Sequence, residues 1–460
     1  MIAFRNEVGM IKLYNSLTNK IEEFKSLKEN ELTMYVCGST VYNDMHIGNS
    51  RPVVFFDCVA RFFRYLGYNV KFVSNFTDID DKIIKKAQSE GVGEEVISER
   101  YIASILETYK LLNCLPHYKN PKVTENMDNI ISFIGELVDK GGAYVSGDDV
   151  YFDISKANNY GILSCQRVED LISGARIEEN QNKKNPADFT LWKKTTTGKN
   201  WDSPWGKGRP GWHTECVVMI NNILGPKIDI HGGGLDLKFP HHDNEIAQST
   251  VINHNYIASY WMHNGRVDLN GEKMSKSLGN VIDAKGLVKE IGYGAYRLIL
   301  LMVPYRQPLN FRQELLDQAK SDYEKIKKAK ITFAHKIQLD FGEANYKTEI
   351  KNEELLNLKN EFIKEMSNDF NTANAITVIY KVLKLINTSY RSKELDSNYA
   401  KELLTLFSEM LWVLGIDFDV APLTLEEVEI VNKWNEARKN KDFESADKYR
   451  SVINEKNIII

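Results

Sequence analysis

The fold is decided by residues 32–74, which read LTMYVCGSTVYNDMHIGNSRPVVFFDCVARFFRYLGYNVKFVS. Residues 32–36 form a short β-prone run, and residues 70–74 form a second one. The segment between them has apolar side chains at helical spacing. A strand, a helix and a strand in succession predict parallel strands of an α/β sheet, in which ligands bind at the carboxyl ends of the strands.

The limits of the helix follow from its terminal residues. Asn49 and Ser50 are both good N-caps, and Pro52 then falls in the first turn, where its missing N–H costs nothing. Gly67 stands where a glycine commonly ends a helix. The sequence therefore predicts a helix that begins near Asn49 or Ser50 and stops at Gly67.

Composition and length narrow the class of protein. The chain has 460 residues, of which 43% are hydrophobic and 27% charged, so two to four globular domains are expected. A net charge of −4 does not announce nucleic-acid binding, although a local basic stripe would still allow it. The five scattered cysteines argue against a disulfide framework. Without a long apolar run or a signal-peptide pattern, we expect a cytoplasmic protein that does not bind membranes.

The pattern changes along the chain and predicts the domain organisation. We expect an α/β fold with a Rossmann-like parallel-sheet catalytic domain, an insertion, and a C-terminal α-helical bundle. The predicted parts are the first catalytic half (1–116), a connective insertion (117–204), the second catalytic half (205–290), a stem-contact or linker region (291–345) and a helical domain (346–460).

Two short motifs suit phosphate binding. His46-Ile47-Gly48-Asn49 lies before the predicted helix, where unpaired N–H groups and the helix dipole attract anions. Lys273-Met274-Ser275-Lys276-Ser277 combines two lysines with hydroxyls between glycines, which suits the neutralisation of a triphosphate. Taken singly, the first is more often a turn and the second more often a solvated surface loop.

Two further constellations suit a nucleotide and a metal ion. His231-Gly232-Gly233-Gly234-Leu235-Asp236 offers a backbone open to close approach and a carboxylate for ribose hydroxyls, or else a tight turn. Four residues have the chemistry of zinc ligands, and the last two are spaced i, i+4 as on one helix face: Cys37, Cys216, His241 and Glu245. From spacing alone such dispersed cysteines are more often small core residues.

Together these motifs resemble one family. The His46–Asn49 and Lys273–Ser277 motifs resemble the two signatures of class I aminoacyl-tRNA synthetases. Other segments resemble the cysteinyl-tRNA synthetases in particular, and they are Met34–Gly38, Asn75–Lys82, Gly211–Cys216, Phe239–Gln248 and Asp369–Thr372. The resemblance extends from about residue 10 to the C-terminal end.

The resemblance implies roles for individual residues. It implies one zinc ion per chain, held by Cys37, Cys216, His241 and Glu245. It also implies a substrate pocket with Thr77 and Trp212, and ATP contacts by Gly48, His231, Gly233, Asp236 and Lys276. His46, Asn49, Lys273 and Lys276 would stabilise the charge that develops during catalysis. The family usually has Pro where Ser39 stands and His where Asn49 stands, so we expect altered ATP kinetics rather than lost activity.

The implied activity is the formation of cysteinyl-adenylate from L-cysteine and ATP with magnesium, followed by transfer to the tRNA for cysteine. We expect a monomer. Alternatives within reach of the sequence are a cysteine ligase with a non-tRNA acceptor, a non-catalytic tRNA-binding relative, and a zinc hydrolase. The expected tRNA contact in the helical part is a set of basic side chains with Trp434 beside them, or else these residues form a solvated helix face with a core tryptophan. The basic residues are Lys433, Arg438, Lys439, Lys441, Lys448 and Arg450.

Overall fold

The protein was analysed as a computed structural model, which describes residues 10–157, 159–166, 182–274 and 279–460 except for the Lys273 side chain. The chain forms two compact units. The first contains residues 10–290 and 305–311, and the second contains residues 291–304 and 312–460. The finer domain limits expected from the sequence stay a prediction. In the described part of the chain, no helix is both long and apolar enough to cross a membrane.

The first unit is built on a four-stranded parallel sheet. Its strands are β3 (Glu31–Val36), β4 (Asn69–Ser74), β9 (Ile228–Gly234) and β10 (Ala258–Asn264). They lie in the order β10-β9-β3-β4, so strands from the two ends of the unit meet at β3 and β9. Buried Asp229 fastens these two strands, because its carboxylate accepts from the Thr33 N–H at 2.7 Å and the Thr33 hydroxyl at 2.6 Å. A parallel sheet as expected from residues 32–74 is therefore confirmed.

Helix α1 (Ile47–Tyr65) joins β3 to β4 and begins earlier than the sequence predicts. Its N-cap is His46, whose Nδ1 accepts from the Asn49 N–H at 3.3 Å. The predicted start at Asn49 or Ser50 was wrong because an imidazole serves as the cap in place of the usual short polar side chain. Gly67 has a φ of 87°, as a left-handed residue after a helix should.

The rest of the first unit surrounds this sheet. The N-terminal hairpin has strands β1 (Lys12–Asn15) and β2 (Lys20–Glu23), and an antiparallel sheet has β5 (Ala143–Ser146), β6 (Asp149–Phe152), β7 (Phe189–Lys194) and β8 (Gly208–Pro210). The helices are α2 (Asp81–Glu90), α3 (Glu94–Leu111), α4 (Met127–Asp139), α5 (Thr214–Ile223), α6 (Asp243–Asn253) and α7 (Ala284–Ile291). A shared hydrophobic core that includes Trp192 and Trp261 joins the antiparallel sheet to α4, α5 and α6. The predicted insertion thus packs on the same core as the second catalytic half.

A small three-stranded sheet precedes the lysine motif. It has strands β11 (Val267–Leu269), β12 (Glu272–Lys273) and β13 (Leu309–Phe311), in the order β12-β11-β13. Asn270 and Gly271 connect β11 to β12 with φ values of 51° and 87°. Two left-handed residues in succession are what a tight hairpin turn requires, so Asn270-Gly271 forms such a turn.

The second unit is helical. Its helices are α8 (Tyr293–Leu301), α9 (Gln313–Phe341), α10 (Glu353–Ser367), α11 (Thr372–Arg391), α12 (Ser397–Val413), α13 (Leu425–Lys439) and α14 (Phe443–Glu455). Asn371 caps α11 by accepting from the Asn374 N–H. Buried Arg297 on α8 donates to the Leu414 carbonyl at 2.7 Å and so anchors the end of α12.

Candidate active site and metal cluster

Four side chains with metal-ligand chemistry meet beyond the carboxyl end of β3: those of Cys37, Cys216, His241 and Glu245. The Cys37 sulfur lies 3.7 Å from the Cys216 sulfur, 3.4 Å from His241 Nε2 and 3.6 Å from Glu245 Oε1. His241 Nε2 lies 3.6 Å from the Cys216 sulfur and 3.0 Å from Glu245 Oε1. All are buried except Cys37, which is partly exposed.

The sulfur–sulfur and sulfur–nitrogen separations fit one tetrahedral zinc ion, whereas the 3.0 Å between His241 Nε2 and Glu245 Oε1 is shorter than the roughly 3.4 Å expected for such a pair. Bond lengths of about 2.3 Å to sulfur and 2.0–2.1 Å to nitrogen place two sulfurs about 3.8 Å apart and a sulfur and a nitrogen about 3.6 Å apart. The observed values of 3.7 Å for the two sulfurs, and of 3.4 and 3.6 Å for the sulfurs to His241 Nε2, match this geometry. Two thiols, an imidazole and a carboxylate are also a donor set that zinc accepts.

Three elements bring these ligands together. Cys37 directly follows β3, Cys216 lies on α5, and the pair His241 and Glu245 lies around the start of α6. Gly38 must be glycine, because an added Cβ would overlap the Asn75 carbonyl oxygen. The Gly38 N–H also donates to the Asn75 side chain at 2.8 Å, which fixes the chain just after Cys37.

A second group of residues overlaps the first, namely Cys37, His231, His242 and Glu245. His231 Nε2 lies only 2.7 Å from Glu245 Oε2, which is shorter than the spacing of about 3.4 Å expected for two ligands of one zinc ion. At this distance the imidazole and the carboxylate are in close polar contact, which restricts the direction of the carboxylate. We therefore assign His231 to the surroundings of the cluster.

Histidines surround the four candidate ligands. His213 Nδ1 lies 3.0 Å from His241 Nδ1, and His242 Nδ1 lies 2.9 Å from His263 Nε2. Five of the nine histidines of the chain gather here, counting His231 and His241. Partners of this kind set the tautomer and direction of ligating side chains. Sequence reasoning missed His213, His242 and His263, although two of them stand next to motif residues.

Burial and close contacts shift the pKa values of the candidate ligands in different directions. Burial and the Cys216 hydrogen bond raise the pKa of Cys37, whereas the Cys37 hydrogen bond lowers the pKa of Cys216 to about 6 against the effect of burial. Burial by itself would raise the pKa of Glu245, but the facing His231 and His241 hold it well below its ordinary value. The cluster thus provides an ionised carboxylate and one acidified thiol.

A cavity of about 350 Å³ adjoins the cluster. Its lining includes Cys37, Thr40, His46, Gly48, Asn49, Trp212, Gly234 and Asp236. Trp212 is 43% exposed, and its ring centroid lies 4.3 Å from that of His241. One candidate metal ligand, Cys37, and the start of α1 therefore line the same cavity.

The remaining candidate residues differ in position. Gly48 packs closely on the His46 imidazole, since an added Cβ would lie 3.0 Å from that ring and would press on it. Thr77 is buried behind the cavity, and its hydroxyl accepts from Asn75 Nδ2 at 3.1 Å. Gly233 is equally close-packed, with an added Cβ 2.9 Å from Leu237. His231 does not line the cavity, and its imidazole instead lies against the Glu245 carboxylate.

The lysine motif is described only in part. Lys273 ends β12, but its side chain lies outside the described atoms. Lys276 lies outside the described residues. The positions of both ammonium groups therefore stay predictions from the sequence.

Comparisons with known proteins identify relatives along almost the whole chain. Residues 23–321 match the family of tRNA synthetases class I (C) catalytic domains, and residues 361–419 match the DALR domain. The chain is 46% identical over 457 residues to a cysteine–tRNA ligase of Staphylococcus aureus strain MSSA476, covering 98% of this chain and 97% of that protein.

Solved structures show the same fold at low identity. A Mycobacterium tuberculosis methionyl-tRNA synthetase in complex with methionyl-adenylate is similar with a TM-score of 0.60 and 14% identity, covering 84% of this chain and 90% of that one. A putative arginyl tRNA synthetase from Campylobacter jejuni is similar with a TM-score of 0.54 and 17% identity, covering 85% and 92%. From the family matches and the near full-length identity, the chain belongs to the cysteine–tRNA ligase family of class I aminoacyl-tRNA synthetases.

Proposed function

We propose that this protein activates L-cysteine with ATP and transfers it to the tRNA for cysteine, and that Cys37, Cys216, His241 and Glu245 hold a zinc ion that selects the substrate. The observation that carries the proposal is that Cys37 of the ligand cluster and the His46–Asn49 motif line the same cavity. Such a cavity can receive a thiol at one end and a triphosphate at the other.

The first step needs positioning and charge stabilisation rather than a protein nucleophile. The substrate carboxylate attacks the α-phosphorus of ATP, an O–P bond forms, and the bond to pyrophosphate breaks. Because His46 Nδ1 accepts from Asn49 N–H, a neutral His46 carries its proton on Nε2 and can donate it to a phosphate oxygen. The first N–H groups of α1 add their partial positive charge.

The other contacts to ATP are also proposals. Gly234 and Asp236 line the cavity, where the Asp236 carboxylate can accept from ribose hydroxyls and the glycine leaves room for the nucleotide. Gly233 acts through its backbone, and Lys273 and Lys276 neutralise the β- and γ-phosphates together with magnesium. His231 serves Glu245 rather than ATP directly.

Selection of cysteine over serine follows from the donor set. A zinc ion bound to these four residues supplies a Lewis acid that prefers a thiolate to a hydroxyl by far more than a hydrophobic pocket can. The Trp212 ring, which lies against the His241 ring, closes the apolar side of the pocket. Buried Thr77 holds Asn75 and thereby the chain at Gly38, so its role is to shape the pocket.

The tRNA would bind through the helical unit, in the region of α13. Arg438 lies over the Trp434 ring at 4.5 Å, and both line a groove with Lys336 and Arg391. Cations beside an aromatic ring can contact phosphates and stack on an unpaired base. We also propose that the enzyme works in the cytoplasm and as a monomer, which light scattering during size-exclusion chromatography would test.

The deciding experiment is pyrophosphate exchange into ATP with cysteine or serine, before and after removal of zinc. Exchange that requires both cysteine and zinc, followed by charging of the cysteine tRNA, is the expected result. Exchange without charging of tRNA would favour a cysteine ligase with another acceptor. No exchange from folded, zinc-loaded protein would favour a non-catalytic tRNA-binding relative.

A further inference from the structure

We propose that Arg51 is a positioning residue for amino-acid activation: its buried guanidinium fixes the hairpin that bears Lys273 against the start of α1, which bears His46 and Asn49. The inference rests on the proposed function. It adds a role for a residue that lies in neither signature motif and does not line the cavity.

The Arg51 guanidinium holds three backbone carbonyls from two separate segments. One of its terminal nitrogens donates to Gly265 O at 2.8 Å, to Arg266 O at 3.1 Å and to Gln307 O at 2.7 Å. The side chain is 1% exposed, and burial lowers its pKa to about 10, so it stays protonated at neutral pH. A cation among converging carbonyl dipoles, away from water, makes strong and directional hydrogen bonds.

The carbonyls converge because Gly265 has no side chain. An added Cβ there would overlap the Gln307 carbonyl, and the Gly265 N–H donates to Tyr305 O at 2.8 Å. The chain then continues into β11, which pairs on one side with β13 and on the other with β12. Arg51 thus acts at the root of the hairpin, and Lys273, which pairs with Asp268, lies near the same end.

The other side of the lysine motif returns to the same part of α1. The Ile47 N–H donates to Ile282 O at 3.0 Å, and the Ala284 N–H donates to Met45 O at 2.9 Å. Residues 45–51 therefore bind the chain both before and after the lysine motif. The contact before it depends on the Arg51 side chain, so a substitution at Arg51 can uncouple the two signatures.

The coupling predicts a specific kinetic effect. Catalysis by charge stabilisation is sensitive to displacement, and a shift of about 1 Å can cost about 100-fold in rate. We expect Arg51→Met to lower kcat of cysteine-dependent pyrophosphate exchange about 10- to 100-fold, with KM for cysteine changed less than about twofold. Arg51→Lys keeps the charge without the planar fork and should fall between Arg51→Met and the wild type.

A double-mutant cycle with Lys273→Ala separates positioning from a general structural role. If Arg51 acts by placing Lys273, then Arg51→Met should change kcat less than about threefold once Lys273 is already Ala. The inference would be overturned if Arg51→Met lowered kcat by the same factor with and without Lys273→Ala. It would also be overturned if the single variant Arg51→Met had an unchanged kcat. If Arg51→Met does not fold, the same cycle with Arg51→Lys decides. Wild-type exchange, measured in parallel, tests the proposed function separately.

Arg61→Met provides the matched control. Arg61 lies on the same helix and is 2% exposed, but it binds Asp57 at 2.8 Å and the Asn113 carbonyl at 2.6 Å, away from the hairpin. Arg61→Met should lower the unfolding temperature. Any factor by which it lowers kcat should be the same in the wild type and in Lys273→Ala. A cycle for Arg61 as non-additive as that for Arg51 would contradict a specific role of Arg51.

Discussion

Replacement of Glu245 by Gln tests the metal cluster at the one carboxylate among its four candidate ligands. Glu245 is fully buried and uses both oxygens, with Oε1 3.0 Å from His241 Nε2 and Oε2 2.7 Å from His231 Nε2. The amide has the same shape but carries no charge. It can retain the polar contact with His231 while it becomes a poor metal ligand.

The expected loss follows from the position of Glu245 among the ligands. Loss of a residue that only orients a ligand costs about 10- to 100-fold in metal affinity. A direct ligand should cost at least the upper value, and 100-fold corresponds to about 2.8 kcal/mol of binding free energy. At a free zinc concentration 100 times the wild-type Kd, zinc stabilises the wild type by about 2.7 kcal/mol and the variant by only about 0.4 kcal/mol.

The assay is urea unfolding with zinc buffered by a chelator, together with competition for zinc against a chromophoric chelator. Glu215→Gln is the control, because Glu215 is also a buried carboxyl in this region and precedes Cys216 on α5. Burial and the neighbouring Cys216 raise the pKa of Glu215 well above its ordinary value, which favours the uncharged form, and an amide is a close substitute for that form.

The reasoning would be refuted if Glu245→Gln bound zinc as tightly as the wild type. It would also fail if Glu215→Gln lost as much affinity, since the effect would then come from any buried carboxyl near the cluster. A zinc affinity within about threefold of wild type for Glu215→Gln, with intact exchange activity, is the expected outcome.

Three further predictions test other parts of the molecule. Cys216→Ala should abolish tight zinc binding while His242→Gln lowers the affinity less than about 100-fold, as chelator competition would show; the opposite order would favour the overlapping group with His231 and His242. Burial lowers the pKa of His117 from an ordinary 6.5 to about 4. Between these two pH values the unfolded chain therefore binds more protons than the folded chain. Stability that is present above pH 6.5 is lost as the pH falls towards 4. His117→Phe should remove up to about 3 kcal/mol of this acid sensitivity in urea unfolding between pH 7 and pH 4, and an unchanged pH profile would count against it. Arg438→Glu should raise KM for tRNA about tenfold or more without altering pyrophosphate exchange, whereas a loss of exchange would speak against a role confined to tRNA.

The sequence predicts most of the fold because its signals are local. The β-prone run at 32–36, the apolar spacing that follows it and the glycine at 67 each act within a few residues, and the parallel sheet follows from them. The helix start was misjudged by two to three residues because capping by the His46 ring depends on a rotamer, which residue type alone does not give.

The site is harder to predict because it is assembled across the chain. The i, i+4 spacing relates His241 to Glu245, but nothing local relates either to Cys37, which lies 208 residues before Glu245. The family resemblance proposed these ligands, and the structure brings them together. The role of His231 could not be foreseen, since the direction of its ring depends on stacking against Trp261 on the neighbouring strand, with ring centroids 4.5 Å apart.

The order β10-β9-β3-β4 has a consequence for the newborn chain. On the ribosome, β3 can pair with β4 almost at once, but its other edge stays open until β9 has been made. Cys37 is separated by 179 residues from Cys216, and at 5–20 residues per second this interval lasts about 9 to 36 seconds. During that time Cys37 is a thiol without its later neighbours, beside an unpaired strand edge. Supply of reductant during translation, as well as supply of zinc afterwards, should therefore limit the yield of active enzyme.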